Sequence, residues 1–149
     1  MKTSALWISA LVIGASVAAT GSFAVDNITS RDTPYLTSVR AKIEAKNYKA
    51  ALAELTPMLE THQHADVYSL MGFALRKTGD YKQAYTFYRK ALDFDPEHKG
   101  ALEYLGELYV ETGQVDKARE NLALLKKLCP VGCEEMFDLE EAIASAKVN

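Results

Sequence analysis

The sequence predicts an all-α fold, a stack of helix pairs closed by one further helix, and three observations carry that prediction. Shifting the stretch from Ala65 to Pro130 along itself by 34 residues lays Gly72 on Gly106, Gly79 on Gly113, Ala84 on Ala118 and Pro96 on Pro130. Apolar residues repeat in the same register, with Tyr68, Met71 and Leu75 over Leu102, Leu105 and Tyr109. Within each unit the apolar positions recur at helical spacing and are broken by a glycine near the middle and a proline at the end. A period of this length marks units that cannot bury their apolar faces alone and must stack.

The order Tyr68, Met71, Gly72, Leu75, Gly79, Tyr81, Ala84, Tyr88, Ala91, Pro96 resembles the tetratricopeptide repeat (TPR), a helix–turn–helix unit. The following unit resembles it through Leu102, Leu105, Gly106, Tyr109, Gly113, Ala118, Leu122 and Pro130, with Val115 and Leu125 where an aromatic and an alanine are usual. The resemblance implies a TPR helix–turn–helix array of about three repeats with a C-terminal capping helix. Residues 33–64 form a degenerate first repeat, 65–98 the second, 99–132 the third and 133–149 the cap. It says little about activity, because one fold hosts many functions.

Ahead of the array, residues 1–24 carry one charge, Lys2, then an apolar run from Ala5 to Ala19 and the small-residue stretch Thr20-Gly21-Ser22-Phe23-Ala24. This is the layout of a secretory signal peptide, with cleavage expected after Ala24. The run is shorter than the roughly 20 residues a membrane span needs, so no stable span is expected after cleavage. Loss of Lys2 moves the formal net charge from −3 to −4. A mildly acidic chain without a Lys/Arg-rich run has no electrostatic pull toward nucleic acid. At 48% apolar and 25% charged, the composition is that of an ordinary folded domain.

Residues 25–32 are polar and aperiodic and read as a flexible approach to the array. Thr33 then offers an N-cap and Pro34 a first helical residue, followed by Tyr35, Leu36, Val39 and Ile43 at helical spacing. A second helix from Tyr48 carries Ala51, Leu52, Leu55 and Leu59 on one side. Pro57 inside it removes one hydrogen bond, so a bend is expected there. In the next unit Asp66 is expected to cap a helix beginning near Val67. Gly79 and Gly113 are expected to end the first helix of their units in the left-handed conformation. Tyr81, Ala84, Tyr85, Tyr88, Ala91 and Leu92 read as the core stripe of the helix that follows.

In proteins that resemble this one, the first helix of each repeat lines a concave groove that receives an extended peptide or a partner helix. Carried over by position, the lining residues are Arg40 and Ile43, then Ser69, Phe73 and Arg76, then Glu103, Glu107 and Val110. Phe73 is the expected anchor, since a large aromatic on an open groove suits a binding hot spot. Arg40, Arg76 and Lys77 lie toward the early units and Glu103, Glu107 and Glu111 on the last, which would orient a partner by charge. The Lys and Asn set with which chaperone-binding members grip a C-terminal carboxylate is missing. Arg40 stands in place of the asparagine and Glu103 has the wrong sign.

Cys129-Pro130-Val131-Gly132-Cys133 holds the chain's only two cysteines. In an exported protein a disulfide across this turn is the first expectation. Glu134 to Lys147 reads as the closing helix, with Met136, Leu139, Ile143 and Ala146 on its apolar side. No phosphate-binding glycine loop, nucleophile triad or zinc spacing is present, so no catalysis, cofactor or metal is expected. The expected function is a non-enzymatic adaptor that binds a protein or peptide, exported to the bacterial periplasm, or otherwise secreted or anchored by an uncleaved leader. The alternatives are a thiol or metal accessory protein using Cys129 and Cys133, with His62 and His64, and a membrane-tethered assembly factor.

Overall fold

The computed structural model describes residues 34–146, so the expected leader, the approach segment, Thr33 and Lys147 lie outside the described residues. A single 3₁₀ turn at Pro34–Leu36 leads into α1 (Thr37–Glu44), where the sequence pattern placed a longer helix starting at Pro34. Then follow α2 (Tyr48–Thr61), α3 (Ala65–Lys77), α4 (Tyr81–Phe94), α5 (Lys99–Glu111), α6 (Val115–Leu128) and α7 (Glu134–Ala146). Each of α1/α2, α3/α4 and α5/α6 is a packed hairpin, and α3 and α5, the first helices of adjacent hairpins, also touch. The architecture is all-α among the described residues.

The turns inside the three hairpins share one hydrogen-bond pattern. The N–H of Asp80 reaches back to the carbonyl of Leu75 and that of Gly79 to Arg76, while Gln114 and Gly113 repeat the pattern on Tyr109 and Val110. This is the Schellman ending, which needs one left-handed residue. Gly79 (φ +88°) and Gly113 (φ +75°) supply it as expected. The first hairpin has no glycine, and Lys46 takes the same conformation at φ 57°.

Burial follows the repeat. Val39, Ala51, Leu55, Val67, Leu70, Met71 and Ala74 close the core of the first three helices, while Tyr88, Leu102, Leu105, Ala118, Leu125 and Leu139 close that of the last four. The stripe of α4 departs from the sequence pattern. Tyr81 and Tyr85 are each 42% exposed, so the stripe of α4 narrows to Ala84, Tyr88 and Ala91 as its buried residues. α2 runs through Pro57 to Thr61 as one helix.

The closing helix keeps the register of the repeat. Met136, Leu139 and Ile143 lie 34 residues after Leu102, Leu105 and Tyr109, and all three are buried. α7 packs on α5 and α6 as α5 packs on α3 and α4. It therefore occupies the place of a first helix in the next unit.

Candidate groove and its inner well

The first-position helices α1, α3, α5 and α7 wall one groove. Its broad part has a volume of about 530 Å³ and is lined by Ile43 and Glu44 of α1, Leu70 and Phe73 of α3, Tyr104 of α5 and Glu134 of α7, with Arg40 at its edge. Arg40, Leu70 and Tyr104 are shared with an inner well of about 30 Å³, whose walls are otherwise polar: Asp66, Ser69, His98, Glu103 and Glu135, beside Gly100. An apolar trough thus opens onto a small, strongly polar recess.

The trough is floored by aromatic rings. Phe73 meets Tyr48 edge-on with centroids 6.3 Å apart and Tyr104 at 4.8 Å, and the Arg76 and Lys77 side chains lie over its face at 5.4 and 5.2 Å. Phe73 is half-buried as a result, a floor residue of the groove and not a freely projecting anchor.

The electrostatics differ from the sorted charges read from the sequence. Arg76 is 3% exposed, and its guanidinium is gripped by Glu107 and by Glu111, the latter at 2.6 Å from Nη1. Glu107 and Glu111 stand one turn apart on α5, so a single planar guanidinium on α3 satisfies both, as suits arginine's fork. Burial works against the charge of Arg76, but Tyr88 and the two glutamates raise its pKa further than burial lowers it. Arg76 and Glu107 are spent on each other and line neither cavity; Val110 packs against the core of the last four helices. Of the eight residues placed on the groove by position, Arg40, Ile43, Ser69, Phe73 and Glu103 line it.

Asp66 does not cap α3. The helix starts at Ala65, and the ring nitrogen of His64 accepts from the Asp66 N–H. The Asp66 carboxylate is buried instead among Arg40 Nη2 at 3.6 Å, His64 Nδ1 at 3.1 Å and His98 Nε2 at 3.2 Å. His98 is 6% exposed. Its Nδ1 accepts from the Ala101 N–H at 3.0 Å and caps α5, so in the neutral ring Nε2 carries the proton and donates to Asp66. The signal was present: the 34-residue shift also lays His64 on His98.

Glu103 is the group least provided for. It is 7% exposed. Burial, with the nearby carboxylates of Glu107, Asp138 and Glu135, pushes its pKa up to about 8. Ser69 beside it is 2% exposed, and its Oγ has no partner.

Cys129 and Cys133 are joined in a disulfide with Cα atoms 5.7 Å apart, and His62 stacks on Tyr35 while His64 caps α3. The four residues do not converge, and no group of three or more potential metal-ligating side chains occurs among the described residues. Among the same residues no helix is long and apolar enough to cross a membrane.

Comparison with known proteins gives a consistent picture. Residues 75–128, from the end of α3 to the end of α6, match the family described as tetratricopeptide repeat. The BBSome complex member BBS4 of Bos taurus is 34% identical over 80 residues, 54% of this chain. The cellulose synthase 2 operon protein C of Komagataeibacter xylinus is 31% identical over 117 residues, 78% of this chain. The aligned parts make up 15% and 9% of those two proteins, so this chain spans a small fraction of the curated relatives it matches. Among solved structures, the type III secretion translocator chaperone SycD of Yersinia enterocolitica superposes with a TM-score of 0.66 at 14% identity, over 76% of this chain and 89% of that one.

Proposed function

The chain belongs to the tetratricopeptide repeat family, and from that premise we propose that it is a non-enzymatic adaptor which holds a segment of a protein partner in the groove between α1, α3, α5 and α7. One observation carries this reading. The groove of about 530 Å³ is lined by side chains from all four first-position helices, among them Ile43, Phe73 and Tyr104, and joins a polar recess at its floor. An apolar trough with a few converging polar groups is the general form of a ligand-binding cleft. The names of the similar proteins point the same way: one is a member of a complex, and the structural neighbour is a chaperone of a secretion translocator.

The compartment in this reading is the periplasm or cell envelope. The leader-like residues 1–24 and a cysteine pair joined across a short turn both suit an oxidising, extracytoplasmic setting. N-terminal sequencing of the protein from its own cells tests it: Val25 as first residue supports export with cleavage, and Met1 retained supports a leader that stays as an anchor.

The groove is tested by placing a photo-crosslinking amino acid at Ile43, and separately at the exposed Lys82 on α4 as a control. Capture of one partner from the envelope fraction by the Ile43 probe alone supports the groove. Equal capture at both positions rejects it. Arg76, though on a groove helix, is unsuited to such tests because its side chain is a buried structural contact.

A further inference from the structure

The inner well has a chemistry of its own. Three carboxylates, Asp66, Glu103 and Glu135, share its walls with Arg40 and His98. Asp66 Oδ1 is answered by Arg40 and His98, while its Oδ2 lacks a hydrogen bond. Glu103 lines the same recess and is nine-tenths buried as a residue, and so is Ser69, whose hydroxyl oxygen lacks a hydrogen bond. Two buried oxygens left open in the same recess, Ser69 Oγ and Asp66 Oδ2, are costly unless something outside the chain satisfies them. An anion is excluded there by the surrounding carboxylates. The volume of about 30 Å³ suits a compact group, because a water-sized occupant needs at least about 10–15 Å³ and a planar guanidinium considerably more.

We propose that the well receives the ammonium group of a lysine side chain from the bound partner segment, with Ser69 Oγ, Asp66 Oδ2 and Glu103 as its acceptors and Glu135 at its rim. The lysine's methylene stem then lies along Leu70 and Tyr104, which line both cavities, and the residues flanking it occupy the trough over Phe73 and Ile43. An ammonium donates up to three hydrogen bonds, which matches the acceptors present. This assignment rests on the groove being the binding site, and it narrows the partner to a segment that presents a lysine among apolar neighbours.

Seating the ammonium also releases a proton. Glu103 in the free protein is faced by Glu107 on its own helix, Glu135 and Asp138 from α7, Asp66 and Arg76 from α3, Arg40 from α1 and His98 at the start of α5. Its carboxyl, raised to about 8, is largely protonated at neutral pH and must ionise to accept a cation. Affinity for a lysine peptide therefore rises with pH through that value, by about tenfold between pH 7 and pH 9, while the lysine itself stays charged.

The test uses a random dodecapeptide display library selected against the full chain, followed by synthetic copies of the peptides obtained. The expected result is a lysine at a fixed position flanked by apolar residues. Its replacement by norleucine lowers affinity about tenfold or more, and Glu103→Gln removes the rise between pH 7 and pH 9 while circular dichroism stays unchanged. Peptides that lose binding with Ile43→Arg but carry no lysine, or are indifferent to norleucine and to Glu103→Gln, overturn the lysine assignment and leave the groove standing. Peptides indifferent to Ile43→Arg as well, or a selection that yields no binder, overturn both. The norleucine arm alters only the peptide, so it decides the matter even if a protein variant misfolds.

Discussion

The ring of Tyr88 on α4 lies so close to the backbone of Gly72 on α3 that a Cβ at that glycine would stand 2.6 Å from two ring carbons. Gly106 on α5 stands in the same relation to Leu139 of α7, whose two methyl carbons would be 2.5 and 2.6 Å away. The difference lies in the neighbour: Tyr88 is a rigid ring with no exposed surface, whereas Leu139 meets the glycine with the tip of a side chain that has other rotamers.

Alanine at the two glycines should therefore separate in effect. Each substitution gains about 1 kcal/mol of helix propensity, against an overpacking cost of about 1–3 kcal/mol. Gly72→Ala is expected to destabilise by about 1–2 kcal/mol and Gly106→Ala by clearly less. Urea midpoints compare them, and a larger loss at Gly106 would show that α7 is held more rigidly than its side-chain contacts suggest.

Removing the Arg76 guanidinium leaves Glu107 and Glu111 facing each other across its empty place. Arg76→Met should cost about 2 kcal/mol, the range for hydrogen bonds to charged groups, with the two glutamates' partial exposure limiting the loss. A double-mutant cycle with Glu107→Gln isolates the pair. A coupling energy near zero would mean that Arg76 acts through packing alone.

Glu103 makes stability depend on pH in the opposite sense to a paired carboxylate. Its pKa rises from the ordinary 4.5 to about 8 on folding, so between those values the folded chain holds a proton that the unfolded chain has released. Its contribution therefore weakens as pH rises across that window, by at most about 1.4 kcal/mol per pH unit. Glu103→Gln should flatten this slope and make the protein more stable than wild type above pH 8. Chemical denaturation at pH 5, 7 and 9 reads it directly, and an unchanged slope in the variant would assign it to other groups.

Reducing the Cys129–Cys133 disulfide opens a loop of only a few residues, worth about 2 kcal/mol by chain entropy. The effect should be local. Amide exchange in α7 should accelerate while that of α1 to α3 stays as it was, since α7 packs chiefly on α5 and α6. Uniform acceleration would show that the cap supports the whole array.

The sequence made the parts governed by local spacing legible: the hairpin turns at Gly79 and Gly113, the cysteine pair and five of the residues that line the groove. What stayed hidden depends on how one repeat is laid beside the next. The partners of Arg76 lie 31 and 35 residues away on a neighbouring first helix, and within a single helix such a side chain looks like any solvated charge. The network of Asp66 and His98 spans 32 residues across the same junction. Tyr81 and Tyr85 share the spacing of the α4 stripe but lie at its edge, where α5 covers them only in part through residues such as Tyr109.

Because α7 enters the stack as a first-position helix, the described residues place four helices along the groove and three behind it. The inner wall thus overhangs the outer one by a single helix. On the proposed reading, an occupant running the length of the groove ends against a helix that no further helix backs among the described residues, and which is tied to the rest by a short disulfide-bridged turn. Its last foothold would then also be the wall element with the fewest neighbours on its outer side.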